Sequence, residues 1–197
     1  MAIPPFNIDG VVPPFVGARG PGGSSADMSP YVASALEIVV FFGSSNLRKS
    51  ILRGWLAHRA AVRAIGFDRG FQWVDGSFVE DKVPGDVDVI SFFYRPLAAS
   101  TQTQLFALMQ ANVELFKRPL VKTKYKVDLM LVDLNGSPEA LVEATRYYFG
   151  LCSHRRVDHL WKGMIRVNLG DLTDEAAALS VLAKGSAPPA AAPGASP

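Results

Sequence analysis

Cysteine is almost absent from this chain: Cys152 stands alone among 197 residues. A single thiol excludes an intramolecular disulfide and a thiolate-built metal site. Histidine is nearly as scarce, and the three present, His58, His154 and His159, show no spacing with Cys152 that a zinc ion would use. Long apolar runs are missing as well. No stretch reaches the roughly 20 apolar residues that a membrane-spanning helix needs. The N-terminus lacks the charged-then-apolar pattern of a secretory leader. A cytoplasmic protein with no membrane partner is therefore expected. An excess of one charge sign is also lacking, since the formal net charge is only +2. Proteins that hold nucleic acid mainly through its phosphates present a more basic face, so a purely nucleic-acid-binding role is disfavoured.

What the chain does have is apolar patterning. Hydrophobic residues make up 49%, enough for a sizeable core and well above the disordered class. Residues 1–30 read as an extended arm rich in Pro and Gly, with two Pro-Pro-Phe units, Pro4-Pro5-Phe6 and Pro13-Pro14-Phe15, whose rings are expected to dock on the domain. Its 20–25 stretch, Gly-Pro-Gly-Gly-Ser-Ser, is expected to be mobile. Residues 31–183 form the domain proper, and the Ala/Pro/Gly/Ser-rich 184–197 is expected to be a disordered tail. The length leaves little room for a separate template-binding domain.

Within the domain the pattern is α/β (α+β): a small mixed twisted sheet with helices packed on it. Helical spacing covers 30–42 and 44–65, the second with Leu47, Ile51, Leu52, Trp55, Leu56 and Val62 on one side and Gly66 after its end. Strands are expected at 71–74, 87–94, 125–132 and 163–169. Helices are expected at 100–116, at 137–151 behind Ser137 and Pro138, and at 174–183, with a single helical turn at 78–82. His58 reads as a surface or satisfied core residue and Cys152 as a buried small apolar group.

The chemistry-bearing stretch is Trp73-Val74-Asp75-Gly76-Ser77, followed by Asp86-Val87-Asp88-Val89-Ile90. An apolar strand runs into a Gly-Ser turn, and the next strand carries two carboxylates at i and i+2, which alternation puts on one face. A third, Asp128, lies inside the apolar run 127–132, where an unpaired charge is costly and calls for a partner. Taken singly, each acid reads as a turn cap or a solvated strand end. Together with the Gly-Ser turn they read as a metal-dependent phosphoryl-transfer site. Two divalent metals roughly 3.5–4 Å apart neutralise phosphates and activate an attacking oxygen, and hard carboxylate oxygens suit Mg2+. Asp86 and Asp88 are expected to hold the nucleotide-bound Mg2+. Asp128 is expected to complete a second Mg2+ site and to orient or deprotonate the acceptor hydroxyl. All three acids are thus expected to be catalytic and metal-binding. Gly76 lets backbone approach the phosphates, and Ser77 donates to them.

The segment 44–132 resembles the DNA polymerase β-type nucleotidyltransferase superfamily, particularly its minimal bacterial members, through Gly76, Ser77, Asp86, Asp88 and Asp128. More narrowly, Ile3-Pro4-Pro5-Phe6, Asp9-Gly10-Val11-Val12-Pro13-Pro14 and Trp73-Val74-Asp75-Gly76-Ser77-Phe78-Val79 resemble an uncharacterised bacterial family of nucleotidyltransferase-like proteins. The resemblance implies transfer of a nucleoside monophosphate from a nucleoside triphosphate to a hydroxyl of a protein or RNA acceptor. It also implies a possible toxin–antitoxin or defence setting with a cognate toxin as partner. Two departures stand out. The interval from Ser77 to Asp86 is short, and Glu80 and Asp81 occupy the turn where minimal members often carry Arg-Gly. Both acids oppose incoming phosphates unless a cation intervenes.

A basic block follows the triad. Arg155 and Arg156 are candidate phosphate clamps and Lys162 a candidate point charge, with Tyr148 or Trp161 available to stack on a base. The competing reading is a helix C-terminus decorated with favourable cations. Lys122, Lys124 and Lys126 alternate into the third acidic strand on the side of Asp128; a solvated edge is expected for them, with Lys126 within reach of phosphates. The leading expectation is an Mg2+-dependent nucleotidyltransferase. The alternative is a catalytically weak antitoxin or regulatory protein that keeps the fold and acts by covering a partner.

Overall fold

The computed structural model describes residues 3–17 and 24–184, so residues 20–23 of the stretch expected to be mobile at 20–25, and residues 185–197 of the tail expected at 184–197, lie outside the described residues. The architecture is mixed α+β, as the periodicity predicts. Its strands are β1 (Tyr31–Val32), β2 (Gly70–Asp75), β3 (Val87–Phe93), β4 (Val127–Asp133) and β5 (Ile165–Asn168), in the order β1-β5-β2-β3-β4. β2 runs antiparallel to both β3 and β5, while β3–β4 and β1–β5 are parallel pairs.

The helices start where side chains can satisfy the free amides of a first turn. Ser34 and Glu37 form a capping box for α1 (Ala35–Phe42), and Ser45 caps α2 (Asn46–Ala64). Thr101 and Gln104 do the same for α3 (Gln102–Ala111), which is followed by the short α4 (Val113–Phe116) and then α5 (Arg118–Tyr125). Ser137 caps α6 (Pro138–Cys152), and α7 (Leu172–Lys184) closes the described chain. None of these helices is long and apolar enough to cross a membrane.

Strand alternation divides the core in two. Val74, Val87, Val89, Phe93, Val127, Leu129, Ile165 and Val167 point to one face, where they meet buried residues of α1, α2, α5 and α7. Gly54 lets α2 and α5 touch there: a Cβ on it would lie 2.0 Å from the carbonyl oxygen of Tyr125. Trp73, Ile90, Phe92 and Val132 point to the opposite face, covered by α6 alone, of which only Cys152 is buried. The lightly covered face is the one that carries the acids.

The N-terminal segment is built into the body. Ile3, Val11 and Val12 are buried, and Phe6 meets Phe41 edge-on at 5.4 Å. The Val12 amide donates to Val79 (3.2 Å) and its carbonyl accepts from Gly163 (2.6 Å). Phe15 lies against Trp161.

Four local expectations change. The single helix expected at 100–116 is broken at Asn112 into α3 and α4. Residues 31–32 are a strand: β1 pairs with β5 and is too short to display alternation. The 78–82 turn sits earlier, as a 3-10 turn at Gly76–Val79. The largest change is α5. Lys122 and Lys124 belong to this helix, and Lys126 ends it in the left-handed region (φ 57°), so β4 begins at Val127. Pro119 suits a first helical turn, and the Lys-x-Lys-x-Lys alternation that mimicked a strand lies across the helix end.

Candidate active site

β2, β3 and β4 present their acids side by side. Asp75 is in register with Asp88, and Asp88 with Asp128. All three follow the parity of the lightly covered face, and Asp86 precedes β3 by one residue on the same side. They open onto a cavity of about 760 Å3. Asp86, Asp88, Asp128, Gly76, Ser77, Arg155, Arg156 and Lys162, all singled out by sequence, line this one space. So do Asp75, Arg118, Lys122 and Tyr148.

Gly76 is required where it stands. Its φ is +80°, and a Cβ there would sit 1.7 Å from Asp88 Oδ2. The turn thus lies directly against the central carboxylate, an approach open only to a residue with no side chain.

The four acids live in different environments. Asp128 is neutralised: Arg118 Nε pairs with its Oδ1, and Lys122 Nζ lies 2.8 Å from its Oδ2. These partners, the Arg118 guanidinium first, hold its carboxyl below the ordinary value. Lys122 Nζ also lies 2.5 Å from Asp86 Oδ2, and its ammonium is pushed up to about 12 by its bonds to Asp128 and Asp86. Asp88 is the opposite case. Among the described residues no hydrogen bond or ion pair reaches its carboxylate, and burial, then the charges of Asp86 and Asp128, raise its pKa. Asp75 is 3% exposed, and burial pushes it up to about 6 against the pull of Lys162. Its Oδ1 has no hydrogen bond of good geometry, although Lys162 Nζ stands 3.2 Å away.

Lys162 lies beneath the turn. Its ammonium donates to the Gly76 carbonyl (2.8 Å) and faces Glu80 at 3.4 Å. Lys82 completes the neutralisation of Glu80 at 2.7 Å. The acid expected to oppose phosphates is therefore buried and compensated, while Asp81 is exposed and outside the cavity lining. Lys162 accordingly acts on the turn's backbone as well as lining the cavity. Arg155 grips Asp158 (2.9 Å) and the Asp9 carbonyl (2.9 Å), which draws the N-terminal segment to the rim. Trp161 stacks on His154 and lies outside the lining, leaving Tyr148 as the candidate for base stacking. Cys152 is buried; burial, then the nearby charge of Asp75, raises its thiol, which leaves it unreactive. His58 is a core residue whose Nε2 meets the Leu115 carbonyl at 2.9 Å.

Sequence reading missed Asp75 and Arg118. Asp75 shares the parity of Trp73 and directly precedes the Gly-Ser turn. Arg118 and Lys122 stand at i and i+4, a shared helical face once the helix is recognised.

Among the described residues no three His, Cys, Asp or Glu side chains converge to hold an ion together. Both oxygens of Asp128 are in ion pairs. Asp86 and Asp88 remain as hard oxygen donors, and the uncompensated Asp88 suits a divalent cation that draws its other ligands from water and phosphate.

The family model that matches this chain covers residues 4–168 and describes a family of unknown function, DUF6932. The matched span takes in the N-terminal segment from Pro4, the whole cavity lining and β5, and it stops before α7. No curated protein and no solved structure is a significant match.

Proposed function

The chain belongs to the family of unknown function DUF6932, and we propose that its cavity is a nucleotidyl-transfer centre. It would move a nucleoside monophosphate from a triphosphate to a hydroxyl of a protein or RNA acceptor. The observation that carries this reading is the arrangement of Asp88 between Asp75 and Asp128 on adjacent strands, pressed against the Gly76 turn, in a cavity rimmed by cations.

In this reading Asp86 and Asp88 hold Mg2+, which when bound supplies charge neutralisation at the phosphates. Gly76 and Ser77 bring the turn's backbone and a hydroxyl to the phosphates. Lys162 fixes that turn by holding the Gly76 carbonyl, and Arg156 receives the triphosphate at the rim, where Arg155 is already taken up by Asp158 and the Asp9 carbonyl. The acceptor oxygen forms a bond to the α-phosphorus as the bond from α-phosphorus to the bridging oxygen breaks. The electron pair leaves with pyrophosphate. The acceptor's proton passes to solvent in the open cavity, because Arg118 and Lys122 make Asp128 a poor base. The role of Asp128 thereby shifts from base to anchor for those two cations.

The α6 rim supports a macromolecular acceptor. Val142 and Tyr147 are 64% and 58% exposed, and Tyr147 and Leu151 line the cavity. The test is incubation with Mg2+ and each α-labelled triphosphate, comparing wild type with Asp86→Ala/Asp88→Ala in the presence of candidate acceptors. Loss of label transfer by about 10²-fold or more is expected. Equal labelling by both proteins would refute catalysis at this site.

A further inference from the structure

Of the cavity's acids, the three expected to bind metal, Asp86, Asp88 and Asp128, do not all stand in need of one. The Lys122 ammonium bridges two of them, at 2.5 Å from Asp86 Oδ2 and 2.8 Å from Asp128 Oδ2. A divalent ion shared by the same two carboxylates would need this same place. Arg118 takes the remaining oxygen of Asp128. Both cations come from one helical face. α5 carries them four residues apart, and the left-handed Lys126 folds the chain directly into β4, so that this face hangs over Asp128.

We infer that Lys122 and Arg118 occupy the place of the second divalent cation, so that the centre works with one metal ion held by Asp86 and Asp88. This rests on the nucleotidyl-transfer reading and concerns how many ions the site takes. The charge count agrees. Lys82 and Lys162 stand against Glu80 and Asp75, and Arg118 and Lys122 against Asp86, Asp88 and Asp128, which leaves the charge of a single carboxylate uncompensated. That suits one hard divalent ion completed by phosphate oxygens and is too little for two. Space agrees as well, because Asp128 offers no free oxygen while its partners stay in place, whereas Asp88, packed against the Gly76 turn, has no hydrogen-bond or ion-pair partner among the described residues. The two cations also keep a use in the reaction. A Lys ammonium and an Arg guanidinium beside the acceptor's entry can receive a phosphate oxygen without a metal's need for a closed ligand shell.

The experiment counts Mn2+, used alone as the probe, on the full chain by electron paramagnetic resonance and calorimetry. A single ion per chain is expected for wild type and for Lys122→Arg, which keeps the charge. Arg118→Leu/Lys122→Met is expected to take up a second ion, because Asp128 and Asp86 are released. Binding of two ions by wild type would overturn the inference, as would no ion at all, or a charge-removed variant that is folded by circular dichroism and still holds one. The labelled-triphosphate assay separates the two ideas: two ions with active transfer removes only the ion count, while no ion and no transfer removes both.

Discussion

Two clusters in this molecule use the same chemical parts, a carboxylate gripped by two cations, and they differ in nearly everything else. In the first, Glu175 of α7 is held by Arg59 and Arg63 of α2, with side-chain exposures of 0% for Arg59 and 6% for Glu175. Each arm of Arg59 is satisfied, through Glu175, Gln72 (2.9 Å) and the Asn168 carbonyl. In the second, Asp128 is held by Arg118 and Lys122, whose side chains are 58% and 49% exposed. Arg118 has no other hydrogen-bonding partner among the described residues. The first is a strut that fastens α7 to α2 and to the end of β5. The second is a set of half-exposed charges held at an open cavity. Saturation of hydrogen bonds separates the two roles, since a fully bonded guanidinium has nothing left to offer a ligand.

The sharpest way to break the contrast is to remove one partner from each cluster. Glu175→Ala leaves the buried Arg59 without its carboxylate and facing the partly buried Arg63, and a loss of about 3–5 kcal/mol in unfolding free energy is expected by denaturant titration. The buried end of the cavity cluster comes next. Asp75 has a folded pKa of about 6, raised above its unfolded value by burial. The folded state therefore binds the proton more tightly, and this group's contribution to stability falls as pH rises from the unfolded carboxylate value through about 6, then levels off. Asp75→Asn should remove that slope, a change of up to about 3 kcal/mol between the two plateaus, seen by comparing denaturation curves of the two proteins across the window. Gly76→Ala should cost about 1–3 kcal/mol through its left-handed backbone, and its Cβ would displace Asp88. Weakened binding of a non-hydrolysable triphosphate should accompany it by calorimetry. Arg118→Leu should change stability by less than about 1 kcal/mol, because the pair is exposed on one side. A loss as large as that of Glu175→Ala would erase the distinction drawn between the clusters.

The cavity cluster was also the more legible of the two in sequence. Asp86, Asp88 and Asp128 betrayed themselves as charges inside runs of Val, Ile and Leu, where alternation assigns a face without any knowledge of the fold. Arg59 and Glu175 gave no such signal. They lie far apart in the chain, and charges on helices are ordinary until packing buries them. Strand positions in the central sheet were legible for the same reason as the acids. β1 was not, because two residues display no period. α5 was hidden by a lysine alternation that ignores where one element ends and the next begins, and with it went the partners of Asp128. Asp75 was passed over because a residue at the end of a strand reads as a turn former until its neighbours close over it.

The backbone bonds of Val12 to Val79 and to Gly163 join the two ends of the matched region behind the cavity. Glu80 and Lys162, which face each other across the rear of the cavity, each lie next to one of the residues that Val12 stitches together. The wall behind the acids is thus supplied in part from the other end of the chain, so severing the first dozen residues should loosen it, read as faster amide exchange around Glu80 and Gly163.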